Sequence, residues 1–325
     1  MLKRVSSSLR PLLTDANKDE RVAFARSFMT NDPDGSMSFV DMYDYIHVVE
    51  KWLYLRRTNT RFYVWHNEEP PHQTTKSKRF ITKVMFFVAV ARPRWDDERG
   101  EMFDGKLGCW PFVAQEPAIR SSRNRVRGTL ETRPIAVNAA VYQRFLSDRV
   151  LPAIFAKFPR QGAARPLFIQ HDNAGPHQGI DHGLLTDLAR EYRWDVRIRS
   201  QPPNSPDFNV LDLGFFNSIQ SLQYQSVPKN IDELVDAVEN AFVALTLDTL
   251  ARTFVTLQKV LDLSFVLQGG NNYKLLHLKK ASLALDCTSY NVKCSADSVE
   301  MSLLSLNCRL EEEARLDELF AELTL

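Results

Sequence analysis

Residues 166–177 read P-L-F-I-Q-H-D-N-A-G-P-H. A short apolar run ends abruptly in polar residues, as a buried strand does where it leaves a sheet. Leu184–Arg193 then has helical spacing and Val196–Ser200 reads as another strand. Two strands joined by a helix should lie parallel with a right-handed crossover. Upstream, Lys83–Ala91 (K-V-M-F-F-V-A-V-A) is a nearly continuous apolar run, suited to a strand buried on both faces. Tyr43–Leu55 and Phe62–Trp65 add two aromatic and β-branched strands. Val141–Phe158 and the segments Val210–Leu222, Ile231–Leu245 and Thr249–Leu261 read as helices. So do Ala16–Met29, capped by Thr14 or Asp15, and a short Leu316–Leu323. The pattern predicts an α/β fold, a mixed sheet flanked by helices. In such sheets, sites gather at the carboxyl ends of strands, which points to His171, Asp172 and Asn173.

Composition sets the outer bounds. The 325 residues suffice for one large domain or two small ones. With 44% apolar and 25% charged residues, the chain reads as ordinary globular protein. The formal net charge of +1 decides nothing about nucleic acid, so any such contact must come from local patches. Cys109, Cys287, Cys294 and Cys308 form no C-x-x-C pair and read as reduced thiols of an intracellular protein. The start has no signal-peptide pattern, and no run approaches the length of a membrane span.

The chemistry lies in two polar segments. In Gln170–His177, Asp172 would stand at the end of a rigid strand. The plain alternative is that Asp172 and Asn173 only turn the chain and cap the next helix. About thirty residues on, Gln201–Phe216 reads Q-P-P-N-S-P-D-F-N-V-L-D-L-G-F-F. Its prolines stiffen the approach to a helix, Asn209 is a plausible cap, and Asp212 falls in the first turn, where the helix dipole favours a carboxylate. Asp207, in S-P-D, reads as part of a turn.

Together these segments resemble the mariner-like DNA transposases, in particular their plant-type and oomycete-type branch. That branch separates its second and third catalytic aspartates by 39 residues, and Asp172 and Asp212 enclose 39 (212 − 172 − 1). Glu50–Tyr54 (E-K-W-x-Y), Lys76–Phe86, Trp110–Val113 (W-P-F-V), Gly128–Thr132 (G-T-L-E-T) and Gly269–Lys274 (G-G-N-N-Y-K) also match. The resemblance runs from about Leu12 to about Lys280. It implies a ribonuclease-H-like fold over 41–262, with an insertion at about 92–138 and a C-terminal extension over 263–325. It implies two-metal phosphoryl transfer on DNA, with Mg²⁺ or Mn²⁺ held by carboxylates that include Asp172 and Asp212. It further implies nuclear localisation and a possible homodimer, with neither a membrane nor a small-molecule substrate.

Two departures shape the functional expectation. The family's first aspartate directly precedes E-K-W, and here that position is Val49. Valine has no oxygen to offer a metal. Glu50 should point to the opposite face of the strand, His47 is a poor ligand for magnesium, and Asp44 lies roughly 16 Å away along an extended strand. Catalytic impairment is therefore expected. The family's helix-turn-helix units also have no counterpart in 1–40, which reads as a helical linker. The other readings are a non-catalytic DNA-binding or dimerisation module adopted by a host, or an active nuclease that recruits another ligand.

Weaker signals complete the candidate set. Residues 120–133 carry five arginines against one glutamate, and Arg120, Arg123, Arg125 and Arg127 are candidates for phosphate contact. Lys76, Lys78 and Arg79 form a second basic cluster. Asn173, His171 and His177 could support Asp172 and Asp212 through hydrogen bonds. Trp65, Trp95 and Trp110 read as packing residues.

Overall fold

A computed structural model describes residues 10–55, 81–123, 125–160, 165–273 and 286–301, together with 304 and 315. The expected Phe62–Trp65 strand and Leu316–Leu323 helix lie outside the described residues, as do Lys76, Lys78 and Arg79.

Helix α1 (Asp15–Arg26) starts in a capping box, in which Thr14 accepts from the Asn17 N–H and Asn17 reaches back to the Thr14 N–H. Strands β1 (Met29–Asn31) and β2 (Met37–Phe39) form a hairpin around the N-D-P-D-G-S turn. The chain then enters the central sheet with β3 (Tyr45–Tyr54) and β4 (Lys83–Ala91). Two small hairpin strands, β5 (Arg94–Asp96) and β6 (Glu101–Phe103), precede β7 (Lys106–Pro111). A further hairpin joins β8 (Val113–Pro117) to β9 (Leu130–Pro134). A nearly unbroken helical run follows: α2 (Ala139–Phe145), a π turn (Leu146–Val150) and α3 (Leu151–Lys157). Then come β10 (Leu167–His171), α4 (His182–Glu191) and β11 (Val196–Ser200). Helices close the described chain: a π turn (Leu211–Phe215) leading into α5 (Phe216–Gln223), then α6 (Ile231–Ala244) and α7 (Leu247–Val266).

The central sheet has five strands in the order β11-β10-β3-β4-β7. β10 runs parallel to both β11 and β3, whereas β4 is antiparallel to β3 and β7. The expected strand–helix–strand unit around residues 166–200 is present. One expectation needs correcting. The stretch 92–138, read as an insertion, supplies β7, an edge strand of the central sheet itself. Its signal is hidden because Gly108 and the terminal Pro111 interrupt a run of only six residues.

β4 shows why its sequence is apolar throughout. Val84, Phe86, Val88 and Val90 enter one core, and Phe87, Ala89 and Ala91 enter the other. The first core is covered by α1, α5, α6 and α7, through residues such as Phe24, Phe216, Val238 and Phe254. The second is covered by α2, α3 and α4, through Tyr142, Ile154 and Leu185. Each fully buried large side chain contributes about 1.5–3 kcal/mol of transfer free energy. α7 continues past the boundary at 262, and residues beyond it pack on the sheet. The Arg92 guanidinium donates to the main-chain oxygens of Asp41, Cys287 and Tyr290 and to Asn291 Oδ1. Among the described residues, no helix is long and apolar enough to cross a membrane.

Candidate active site

Asp172 is the first residue beyond β10, so rigid sheet positions its backbone while its side chain is free of the strand's alternation. Its Oδ1 accepts from the Ala174 N–H at 3.0 Å, closing a local turn. Asp212 sits in the π turn that opens α5. Asn209 sets that turn, since its Oδ1 accepts from the Leu211 N–H at 3.0 Å and its carbonyl oxygen from the Leu213 N–H at 2.8 Å. Asp172 and Asp212 line one cleft of about 320 Å³, together with Asn173, Ala174 and the proline-rich loop from Gln201 to Pro206.

A cluster of amides stands behind the cleft. Gln170 Nε2 donates to the Phe208 carbonyl at 2.9 Å, Gln201 Nε2 to the Ser205 carbonyl at 3.2 Å, and Asn209 Nδ2 to Gln201 Oε1 at 3.4 Å. Asn173 Nδ2 also donates to the Gln201 carbonyl, at 2.8 Å. These bonds join β10, the proline-rich loop and the start of the Asp212 helix. These neutral bonds join the backbone segments that carry the two carboxylates. The Gln170 side-chain oxygen is buried without a partner among the described residues.

The β3–β10 ladder ends with Gln170 paired to His47, and the same register carried two residues further, past the end of β10, aligns Val49 with Asp172. Val49 is 3% exposed and packs in the core with Val88, Leu211 and Phe215. Where the resemblance calls for a third carboxylate, the chain places a buried isopropyl group. His47 shares the Val49 face. It lies edge-on to Phe254, and neither ring nitrogen has a partner among the described residues. Burial pushes its pKa down to about 3.

Glu50 points away from Val49, as strand alternation requires, yet it still belongs to the site. His177 is the link. Its Nε2–H donates to Glu50 Oε1 at 3.0 Å, and its Nδ1–H is shared between Asp172 Oδ1 and the Asp172 main-chain oxygen, both at 2.8 Å. Burial alone would lower the His177 pKa, but its bonds to Asp172 and Glu50 prevail and raise it to about 10. At neutral pH His177 is therefore an imidazolium between two carboxylates. For Asp172, burial works upward, and the His177 and Ala174 hydrogen bonds with the neighbouring histidine charges outweigh it, leaving its pKa lowered. The His177 ring also stacks on Tyr142 at 4.0 Å. His171 turns into the opposite core, against Tyr142 and Ser200, and burial lowers its pKa to about 4.

Two contacts were not foreseen from sequence. Lys51, two residues beyond Val49 on the same face, places Nζ 2.8 Å from Asp212 Oδ1. Asp207, read as a turn residue, instead receives the buried Arg21 guanidinium through two bonds and the Tyr273 hydroxyl through a third. Neither shows locally, because the partners lie far apart in sequence.

The candidate arginines lie on the β8–β9 hairpin. Arg120, Arg123 and Arg127 are exposed and have no carboxylate partner among the described residues. Arg125 is half-buried and paired with Glu131, so it holds the hairpin together. Trp95, read as a packing residue, is 55% exposed.

Strand order, helix placement and paired carboxylates at the sheet's carboxyl edge invite comparison with solved structures. A pre-cleavage transpososome of Mos1 matches with TM-score 0.54 at 17% identity, over 83% of this chain and 68% of that one. The chain shares the fold of a mariner transposase. A Mos1 mariner paired-end complex with Mn matches with TM-score 0.55 at 16% identity, over 84% of this chain and 68% of that one. The Mos1 strand transfer complex gives 0.54 at 17%. No family model matches the sequence, and no curated protein matches it. The mariner-type fold thus carries the expected ribonuclease-H-like sheet.

A pair of divalent ions, of the kind this fold implies, does not suit the residues present. Val49 offers no oxygen, the Lys51 ammonium sits on Asp212, and Asp172 Oδ1 already accepts from Ala174 and His177. The one group of three metal-ligating side chains among the described residues is Glu50, Asp172 and His177, whose ligand atoms lie within 4.8 Å of one another. Its imidazole is held between the two carboxylates by hydrogen bonds.

Proposed function

We propose that this chain is a transposase-derived domain that engages DNA but no longer cuts it. The observation that carries this reading is Val49, buried in the core two residues past the His47–Gln170 pair, while the nearby cleft is lined by Asp172 and Asp212 with no third carboxylate among its described lining residues. In-line phosphoryl transfer by two metals needs a ligand shared between them to fix their separation, and valine cannot supply it. By this reading the chain acts in the nucleus, where its DNA partner lies, with a second copy as a further possible partner. The test is a strand-cleavage assay on the wild-type chain with Mg²⁺ or Mn²⁺, beside Val49→Asp. No cleavage by the wild type is expected. Robust cleavage abolished by Asp172→Asn would overturn the reading, because another residue would then be supplying the ligand.

One observation favours retained DNA binding as the remaining activity. Arg120, Arg123 and Arg127 stand exposed and without a carboxylate partner among the described residues, on a hairpin tied by its own ladder and by Arg125–Glu131. Exposed arginines on a structured hairpin suit the phosphate backbone, which is contacted without reading sequence.

A further inference from the structure

The two carboxylates of the cleft are each met by a cation of the protein itself. Lys51 Nζ lies 2.8 Å from Asp212 Oδ1, and its stem runs beside the Phe216 ring, with Nζ 5.4 Å from the ring centre. His177 bridges Asp172 and Glu50. Strand geometry makes the Lys51 contact possible. Residues 49 and 51 share a face of β3, so the side chain two places beyond Val49 extends over the same core towards the first turn of the Asp212 helix.

We propose that Lys51 serves as a tethered cation at Asp212, so that this carboxylate is closed to divalent ions while Lys51 is in place. The argument is geometric: Lys51 Nζ is already in contact with the Asp212 carboxylate that an entering ion would need. With valine at 49 no further carboxylate remains to draw in a dication. An ion entering beside Asp212 must displace an ammonium already in contact with it, and until that leaves, the two cations repel each other at ion-pair distance. The Asp212 side of the cleft is thus already occupied by a cation of the protein itself. This inference goes beyond the DNA-binding reading and does not depend on it.

The test measures Mn²⁺ binding to the full chain, without DNA, by isothermal titration and by the thermal shift on adding manganese. The wild type should show no saturable binding in the millimolar range. Lys51→Met, which keeps most of the stem and removes the charge, should bind Mn²⁺ in that range, and Lys51→Arg should behave as the wild type. In a Val49→Asp background, Lys51→Met should tighten Mn²⁺ about tenfold or more, as expected when a unit charge is removed within a few ångströms of a dication. Asp212→Asn should abolish that gain. Equal affinity for Lys51→Met and the wild type, or tight Mn²⁺ binding with Lys51 intact, would refute the proposal. Should Lys51→Met fold poorly by circular dichroism, Lys51→Gln carries the same comparison. Because DNA is absent, failure here leaves the arginine-hairpin reading untouched, and the converse holds.

Discussion

Arg21 of α1 and Asp207 of the proline-rich loop, 186 residues apart, meet in a fork of hydrogen bonds at 2.8 and 2.7 Å. Arg21 Nε also donates to the Gly269 carbonyl at 2.7 Å, and the guanidinium lies 4.0 Å from the centre of the Phe208 ring. A fully buried guanidinium thus pins the loop that walls the cleft to both the first helix and the end of the last. Removing one partner of such a pair leaves the other uncompensated. Arg21→Met should cost about 2–4 kcal/mol in urea unfolding, towards the lower part of the range for buried pairs because Asp207 keeps some solvent contact. Arg21→Met with Asp207→Leu should recover part of that loss. A single-variant cost below about 1 kcal/mol would show that the fork is not a main support of the loop.

Acid should weaken the fold through His47. Its folded pKa is held near 3 by burial, while the unfolded chain titrates near 6.5. Between these values the unfolded state binds a proton that the native state refuses, so stability falls as pH drops below about 6.5, by about 1.4 kcal/mol per unit. His171, lowered to about 4 by burial, adds to the same trend. His47→Leu should therefore lose about 2 kcal/mol less than the wild type between pH 7 and pH 5, read from urea midpoints. Identical pH profiles would show that His47 is charged in the fold.

Val49→Asp tests the site through stability as well as activity. It places a carboxylate in a position 3% exposed, among Val88, Leu211 and Phe215. In the absence of metal this should cost about 2–4 kcal/mol. With Lys51→Met alongside it, millimolar Mn²⁺ should restore part of the loss, because an ion that binds only the folded chain stabilises it by mass action. Unchanged stability with and without the ion would show that the new carboxylate turns away from the cleft.

The hairpin arginines should separate by role. Charge reversal of Arg120, Arg123 and Arg127 should weaken binding to all DNA sequences alike, and each lost phosphate contact should flatten the salt dependence by about one unit. Arg125→Gln should instead lower the thermal stability of the hairpin, since its partner is Glu131. Unaltered affinity in the triple reversal would make the loop a solvated surface only.

Much of this architecture was legible in the sequence, and the exceptions have physical causes. β4 was readable because burial on both faces makes it apolar from Val84 to Ala91, and the β10–α4–β11 unit because a short apolar strand is followed by helical spacing and a second β-branched run. That Asp172 and Asp212 share one cleft was expected from the resemblance, since the local pattern alone left the turn and cap readings open. Glu50 was half legible. Alternation correctly turned it from Val49, but nothing local showed that Asp172, having left the strand, would meet it through His177. Lys51 and Arg21 were illegible because a long cationic side chain gives no sign in sequence of whether it will snorkel to solvent or reach a distant carboxylate.

The amides of Gln170, Gln201 and Asn209 give the cleft a further property. Its walls are joined by bonds between uncharged groups of β10, the proline-rich loop and the turn before α5, none of which uses the Asp172 or Asp212 carboxylate. A substitution at position 49 therefore alters the chemistry offered to the cleft without touching the bonds that join its walls.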